Sequence, residues 1–379
     1  MTRYRDLGLS VGLLSPGPMN AITDVSGLRV GVTTLIEGDG PLEVGTGPIR
    51  TGVTAIVPHE GIGEAPLFAG CHTLNGNGEL TGLEWVRESG LLTTPITITN
   101  THSVGVVRDA LVAYEVRDRP KGPAFWSLPV VGETYDGALN DINGQHIRPE
   151  HLFSAIEQAS DGPVPEGNVG GGTGMICHDF KGGTGTASRV VQGGQGNRWT
   201  VGALVQANHG DRDRLSVDGV HVGEAIPMSE VPSAWDDEER VGSAAEGSII
   251  VIVGTDAPLV SHQLRRLAQR VGLGIARVGG GGGDSSGDIF LAFSTANAGR
   301  LTTSKTDAGP GPTSVEMLPN REITSLFWGV IEATEEAILN ALVAAETLTG
   351  RDGITAHALP HERLVEIMAR HGRGPTRDR

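Results

Sequence analysis

The chain is short of cysteine, aromatic rings, positive charge and long apolar runs, and each shortage removes a class of protein. Two cysteines, Cys71 and Cys177, cannot build a disulfide framework, and no CxxC pair is present. Aromatic residues make up only 4% of the chain. Lys and Arg number 29 against 45 Asp and Glu, a formal net charge of −16. The basic residues are scattered except in a short C-terminal tail, so no nucleic-acid partner is expected. No apolar stretch reaches the ~18 residues that would suggest a membrane span. The opening MTRYRDLGLSVGLLSPGPMN has no apolar region of signal-peptide length, and a cytoplasmic location is expected. The histidines are dispersed. His357 and His361 are four apart, but Pro360 falls between them and no HExxH occurs. Neither a catalytic metal nor a cofactor is expected.

What the chain has in excess is glycine, 57 residues, about twice the usual share of roughly 7%. With so few aromatics, this implies many tight turns and close backbone approaches. The apolar runs are too frequent and too well spaced for a disordered chain. GVTAIVP, TPITITN, TVGALVQA, SIIVIVG and DIFLAFST are rich in β-branched residues and bounded by Gly, Pro or Asn, so they read as buried strands. Helices are expected over His262 to Val271, over Glu322 to Thr349 with Gly350 as its cap, and from Pro360 to Arg370. Strands joined by tight turns are expected across the glycine-rich stretch Gly167 to Arg198. The glycine run Gly279 to Gly283 reads as a mobile loop tip. Asp211 to Gly247 reads as a polar, irregular surface segment, too long for an ordinary loop.

Several catalytic motifs fail on context. GDSSG around Ser285 matches a nucleophile elbow, but an elbow needs a helix after the serine, and IFLAFS reads as a strand. Lys181 is followed by Gly, so no Walker A loop exists. The loose GxGxxG-like spacings sit at no strand-to-helix joint.

Gly247-Ser248 is different. A serine opening a buried strand ordinarily bonds a neighbouring amide. If the Gly-Ser bond were cut, however, Ser248 would become an N-terminus. Its α-amine, with an ordinary pKa near ~7.7–8.0, would be a usable base beside its own hydroxyl. Glycine before the serine leaves the carbonyl open to attack. The long polar segment would then end as a free tail.

These residues resemble a known family. EGSIIVIVGTDAPL looks like the processing site of the self-cleaving N-terminal-serine hydrolases of peptidase family S58, the L-aminopeptidase/D-Ala-esterase/amidases and β-aminopeptidases. The resemblance continues, in order, through ITDVSGLRVG, HTLNGNGELTGLEW, ETYDGALNDING, GNVGGGTGM, VGALVQANHG and SSGDIFLAFSTAN. It covers nearly the whole chain.

The resemblance implies an α/β fold, a four-layer αββα sandwich similar to Ntn hydrolases but connected differently. It implies one domain over 1–379, cut between Gly247 and Ser248 into chains 1–247 and 248–379. Ser248 is the implied nucleophile and Asn208 the oxyanion-hole donor. Ser286 and Asp288 match a Ser-x-carboxylate pair flanking the nucleophile and its amine, and alternation along a strand puts both on one face. The β-aminopeptidase branch has Glu at the second position, one methylene longer than Asp288. Glu133 is implied to hold the substrate's amine, with Tyr135 near the reacting carbonyl. The implied substrates are small peptides, amides or esters with a free N-terminal amine, and the implied assembly is a homotetramer or larger. Two other readings stay open on sequence alone. One is an acyltransferase of the ornithine acetyltransferase type, although those use Thr where Ser248 stands. The other is an uncleaved binding homologue.

Overall fold

The computed structural model describes residues 1–117, 119, 125–235, 247–302 and 311–374. The five apolar runs all lie in strands of two main sheets. The smaller sheet orders Arg29–Glu37, Ile49–Val57, Ile96–Asn100 and Val130–Thr134. The larger orders Leu91–Leu92, Leu67–Gly76, Gly287–Ser294, Ser248–Thr255, Arg198–Asn208 and Gly183–Gln192. The strand that begins at Ser248 is therefore internal. It runs antiparallel to Arg198–Asn208 and parallel to Gly287–Ser294.

A strand covered on both faces reads as a continuous apolar run, and alternation sorts its residues between two cores. Ile250 and Ile252 join Leu204, Ile289, Leu291 and Phe293 against Ile56, Ile96, Ile98 and Val130 of the smaller sheet. Ile249, Val251 and Val253 face the other way with Val205, Phe290 and Ala292, against Leu264, Leu267, Val271 and Ile338. Those last residues belong to helices Ser261–Val278 and Thr324–Ala344. A third core packs Val53, Ala55 and Val131 under Val107, Leu111, Leu152 and Ile156 of helices Val104–Arg117 and Pro149–Glu157. Helices, sheet, sheet, helices: the layers are the αββα sandwich that the resemblance implies.

Three sequence expectations need correction. The helix expected to stop at Val271 continues to Val278. Gly272 and Gly274 do not break it, because Gly274 lies where a methyl group would come within 2.7 Å of the Ile331 carbonyl on the neighbouring helix. The helix expected to reach Thr349 ends at Ala344. Ala345 turns extended, Leu348–Thr349 pairs with Thr355–Ala356, and Gly350 does not cap the long helix but precedes a 3-10 turn, Arg351–Gly353. The polar segment from Asp211 is not a surface excursion over its described part, 211–235. It buries Leu215, Val217, Val222, Ile226 and Val231 in the helix-side core. Its polar composition hid apolar residues spaced by turns rather than by a helix or strand period. The remainder of that segment, 236–246, lies outside the described residues.

The glycine excess also finds a physical reason. A methyl group on Gly185 would stand 2.0 Å from the Ala337 carbonyl and 2.7 Å from the Ala341 nitrogen, so helix Thr324–Ala344 lies directly on that strand. Gly70 meets helix Ser261–Val278 in the same way, with the Arg265 nitrogen 2.3 Å from the methyl position. Gly185→Ala should therefore lower stability by about 1–3 kcal/mol through overpacking against backbone. Gly105→Ala, on a helix with open space around the position, should raise it by roughly 0.5–1 kcal/mol. Thermal denaturation of both variants checks the contrast. Equal midpoints would mean that the sheet and helix separate without cost.

Candidate active site

The site forms at one end of the larger sheet. Register pairs Asn208 with Ser248 and Ile249 with Asp288, so three neighbouring strands deliver their chemistry side by side. Ser248, Asn208, Ser286 and Asp288 are all buried.

Two faces flank the Gly247-Ser248 bond. On the helix side, the Ser286 hydroxyl lies 2.5 Å from the Gly247 carbonyl oxygen and 2.7 Å from Asp288 Oδ1. The shorter Asp thus reaches its serine. One hydroxyl carries one proton and cannot donate to both oxygens. Burial pushes the Asp288 carboxyl above its usual range, against the opposing bonds from Ser286 and the Ile249 amide. If Asp288 holds a proton, which burial favours, it donates to Ser286 and Ser286 donates to the Gly247 carbonyl. On the other face, the Gly287 amide donates to Ser248 Oγ at 3.1 Å.

Asn208 is fixed from both ends of its amide. Its Oδ1 accepts from the Ile176 amide at 2.8 Å, and its Nδ2 donates to the Tyr135 carbonyl at 3.1 Å. The second hydrogen on Nδ2 is left for another acceptor. Gly247 packs directly here. A methyl group on it would stand 1.6 Å from the Asn208 carbonyl oxygen and 3.2 Å from Nδ2. Only glycine fits that place, a tighter requirement than open access to the carbonyl.

Tyr135 thus joins the cluster through its backbone. Its phenol folds over Gly137, and burial raises its pKa against the pull of Arg351, so it stays protonated. Glu133 is buried, and its carboxylate accepts from the Glu79 amide at 2.8 Å and the Thr101 hydroxyl at 2.5 Å. Burial raises its pKa, opposed by those two bonds. Gly78 links it to the nucleophile end: a methyl group there would lie 3.0 Å from Glu133 Oε1 and 3.2 Å from Gly287 Cα. Glu133 is not part of the cavity that Gly247, Ser286 and Asp288 line. That cavity holds 540 Å³ on the helix side, walled by His209, Ile275, Trp235 and the glycine run 279–283. The glycines expected as a mobile loop tip line that cavity. Ser285 sits in a turn before the strand Gly287–Ser294, which confirms that GDSSG is no elbow.

Sequence reasoning missed the residues that hold this arrangement. Asn75 and Asn77 donate their side-chain amides to the carbonyls of Gly283 and Ser285, each at 2.6 Å, and the Asn77 amide reaches the Ser286 carbonyl. Both lie in HTLNGNGEL, and an asparagine two residues from another on a strand end is the signal that was available. Lys181 is fully buried, and burial lowers its amine to about 7. It donates to the carbonyls of Met175 and Gly182, each at 2.8 Å, and so ties the turn that presents the Ile176 amide. Cys177, His178 and His209 gather behind Asn208, although the histidines look dispersed in sequence.

Comparison with known proteins points one way. The profile of peptidase family S58 matches residues 20–356. A β-peptidyl aminopeptidase, BapA, of Sphingosinicella microcystinivorans is 50% identical over 98% of this chain and 93% of its own. A β-aminopeptidase of a Burkholderia species superposes with a TM-score of 0.89 at 53% identity, over 98% of this chain and 99% of that one. The L-aminopeptidase D-Ala-esterase/amidase of Ochrobactrum anthropi, described as a prototype for the serine aminopeptidases and a new variant among the Ntn hydrolase fold, superposes with a TM-score of 0.87 at 44% identity, over 98% and 99%. With a sandwich of this fold and a serine at its internal strand end, matched along nearly its whole length, the chain belongs to peptidase family S58 and is a hydrolase.

Proposed function

We propose that the protein is an N-terminal-serine aminopeptidase and amidase-esterase that first cuts itself between Gly247 and Ser248. The observation that carries this reading is the contact between the Ser286 hydroxyl and the Gly247 carbonyl at 2.5 Å, with Asp288 behind it. A carbonyl that accepts such a bond is polarised toward attack. The Ser248 hydroxyl attacks the Gly247 carbonyl carbon; the C–O bond forms and the peptide C–N bond breaks. The product is an ester on Ser248 and a free α-amine, and water opens the ester. Chains 1–247 and 248–379 stay together as one domain, since the strands of both are interleaved in the larger sheet.

In the second stage the Ser248 amine takes the hydroxyl proton, and Oγ attacks the carbonyl of a small amino-acyl substrate. The remaining Asn208 Nδ2 hydrogen donates to the oxyanion, a contact of this kind being worth about 2.7–4 kcal/mol. Ser286 and Asp288 lie on the amine's side of Ser248, where they orient and balance it. The family resemblance assigns Tyr135 a place near the same carbonyl, and its backbone carbonyl already holds Asn208 Nδ2. The amine or alcohol leaves, and water releases the acid from the acyl-enzyme. No cofactor enters either stage. Glu133 holds the substrate's ammonium: each oxygen already accepts one bond and keeps a further lone pair, and a desolvated carboxylate gains most from a cationic partner. The substrates are short peptides, amides or esters with a free N-terminal amine. We further infer a cytoplasmic enzyme, in keeping with two free, buried cysteines. A homotetramer or larger assembly accords with the exposed Leu13 and Trp328 around one recess.

Processing is tested by the intact mass and N-terminal sequence of the purified protein, whose smaller chain should begin SIIVIVG. Ser248→Ala should remain one chain and inactive, while Ser285→Ala should process and keep substantial activity. Gly247→Ala should also stay uncut, because its methyl group collides with the Asn208 carbonyl. Normal processing of Gly247→Ala would remove the close packing from the account, and a chain starting elsewhere than Ser248 would remove the nucleophile.

Recognition of the amine is tested separately. A charge-assisted bond of this type contributes roughly 1.5–3 kcal/mol. Glu133→Gln should therefore lower kcat/KM by about 10- to 150-fold on amine-bearing substrates, and far less on an N-acetylated analogue. It should still process itself, since no substrate amine takes part in that step. Equal losses on both substrates would assign Glu133 to support of the fold instead.

A further inference from the structure

Behind Asn208, on the helix side of the sheet, lies a group of side chains that the proposed hydrolysis does not use. Cys177 and His178 are wholly buried, and His209 is 5% exposed. One donor atom from each lies within 4.8 Å of the others. Cys177 Sγ stands 3.8 Å from His209 Nδ1, and the two imidazole centroids are 5.3 Å apart with the rings edge to face. His178 Nδ1 lies 2.9 Å from the Asp211 carbonyl. A carbonyl only accepts, so that nitrogen carries the proton and Nε2 carries the lone pair. Nε2 is buried and has no hydrogen-bond partner; nor has His209 Nε2. The lone pair on His178 Nε2, buried with no donor, is uncommon, since buried polar atoms ordinarily find a partner.

Glycine backbone packs directly against both rings. Gly210 lies against the His178 ring, where a methyl group would stand 2.3 Å from Cε1, and Gly280 lies over the His209 edge, 3.2 Å from Nε2. His209 is also a wall of the 540 Å³ cavity, which opens an access route from solvent.

We propose that Cys177, His178 and His209 form a binding site for a zinc-class divalent ion, with its fourth position open to the active-site cavity. The donor set selects the class. One thiolate and two imidazoles suit Zn²⁺ and the ions that mimic it, whereas Mg²⁺ and Ca²⁺ require oxygen ligands. Zinc bonds of about 2.3 Å to sulfur and about 2.0–2.1 Å to nitrogen at tetrahedral angles put ligand atoms roughly 3.3–3.6 Å apart. The Cys177 Sγ–His209 Nδ1 spacing of 3.8 Å is already near this, and small side-chain shifts close the rest. The Nδ1 bond from His178 to a backbone carbonyl is the outer-shell contact that metal-ligating histidines ordinarily make. On binding, the sulfur–metal bond forms and the thiol proton leaves to solvent, while the imidazoles contribute lone pairs and lose no proton. The site is coupled to the hydrolytic one. His209 follows Asn208 directly, and Cys177 follows Ile176, whose amide holds Asn208 Oδ1. An ion there clamps both supports of that asparagine.

The test titrates the intact, purified protein with Co²⁺ and reads the sulfur-to-cobalt charge-transfer absorption, with competition by Zn²⁺. One Co²⁺ per protein should bind with that band, and stoichiometric Zn²⁺ should abolish it. Cys177→Ala should lose the band completely. Cys71→Ala, which removes the other free thiol, should keep it. His178→Gln should weaken Co²⁺ binding at least 10-fold while Cys177 remains in place, which guards against a cysteine variant that fails to fold. No charge-transfer band with the unmodified protein, or an equal band in folded Cys177→Ala, would overturn the site. Neither result bears on self-cleavage or hydrolysis, which are read by mass and by substrate turnover.

Discussion

Everything chemical in this molecule depends on the register of three adjacent strands. Asn208 is opposite Ser248, and Asp288 is beside Ile249. A slip of one residue would turn every side chain of the internal strand to the wrong face. It would move Ile250 and Ile252 out of the inter-sheet core and send the Ser248 hydroxyl toward the helices. The apolar alternation that fixes two cores therefore also fixes the site, and the large apolar area holding the register far outweighs any single bond at the strand end. Asn75 and Asn77 add a local lock, holding the turn before the strand Gly287–Ser294 so that Ser286 meets the Gly247 carbonyl.

The same register divides the surroundings of Ser248 into two compartments. Ser286 and Asp288 share parity with Phe290 and Ala292 of the helix-side core, and the 540 Å³ cavity lies with them. Asn208 shares parity with Leu204 of the inter-sheet core, and Glu133 and Tyr135 come from the end of the opposing sheet. Groups that would serve the amine of Ser248 and groups that would meet a substrate thus approach from different sides. The absence of Glu133 from the helix-side cavity follows from this division, and it accords with a carboxylate placed for a ligand rather than for the nucleophile.

Much of this was legible in the sequence because strand ends follow from periodicity. Ser248, Asn208, Ser286 and Asp288 all stand where an apolar run begins or ends. What escaped were residues whose placement depends on turns and on buried charge. Glu332, Glu336 and Asn340 lie on helix Thr324–Ala344, for which the sequence showed only an apolar stripe. In the structure they are buried and hold the start of the chain. Glu332 accepts from the Leu13 and Leu14 amides, Glu336 from Arg5 and Arg189, and Asn340 from the Tyr4 amide. Burial alone would push the Glu336 carboxyl up, but the two guanidinium groups outweigh it and hold it below its usual range. Partners more than 140 positions away in sequence leave no local periodic trace. Cys177, His178 and His209 escaped for the same reason: a hairpin brings the first two onto the end of a strand carrying the third.

The pair Ser286–Asp288 shows why a carboxyl is useful even when it is neutral. An ionised Asp288 would draw the Ser286 proton to itself and leave the Gly247 carbonyl facing a bare hydroxyl oxygen 2.5 Å away, a repulsive contact. A protonated Asp288 reverses the bond to Ser286 and turns Ser286 into a donor aimed at that carbonyl. Burial raises the pKa of Asp288 and so favours that neutral form while a carbonyl stands opposite it. With a free amine at Ser248, as the proposed cut would leave, the balance would change. An ammonium next to the carboxyl favours its ionised form, and the same two side chains then face a cation instead of a carbonyl. One buried carboxyl could serve both states, since burial favours its neutral form and an adjacent cation its ionised one. The missing methylene relative to Glu costs nothing here, since the backbone of strand Gly287–Ser294 already brings Asp288 Oδ1 within 2.7 Å of its serine.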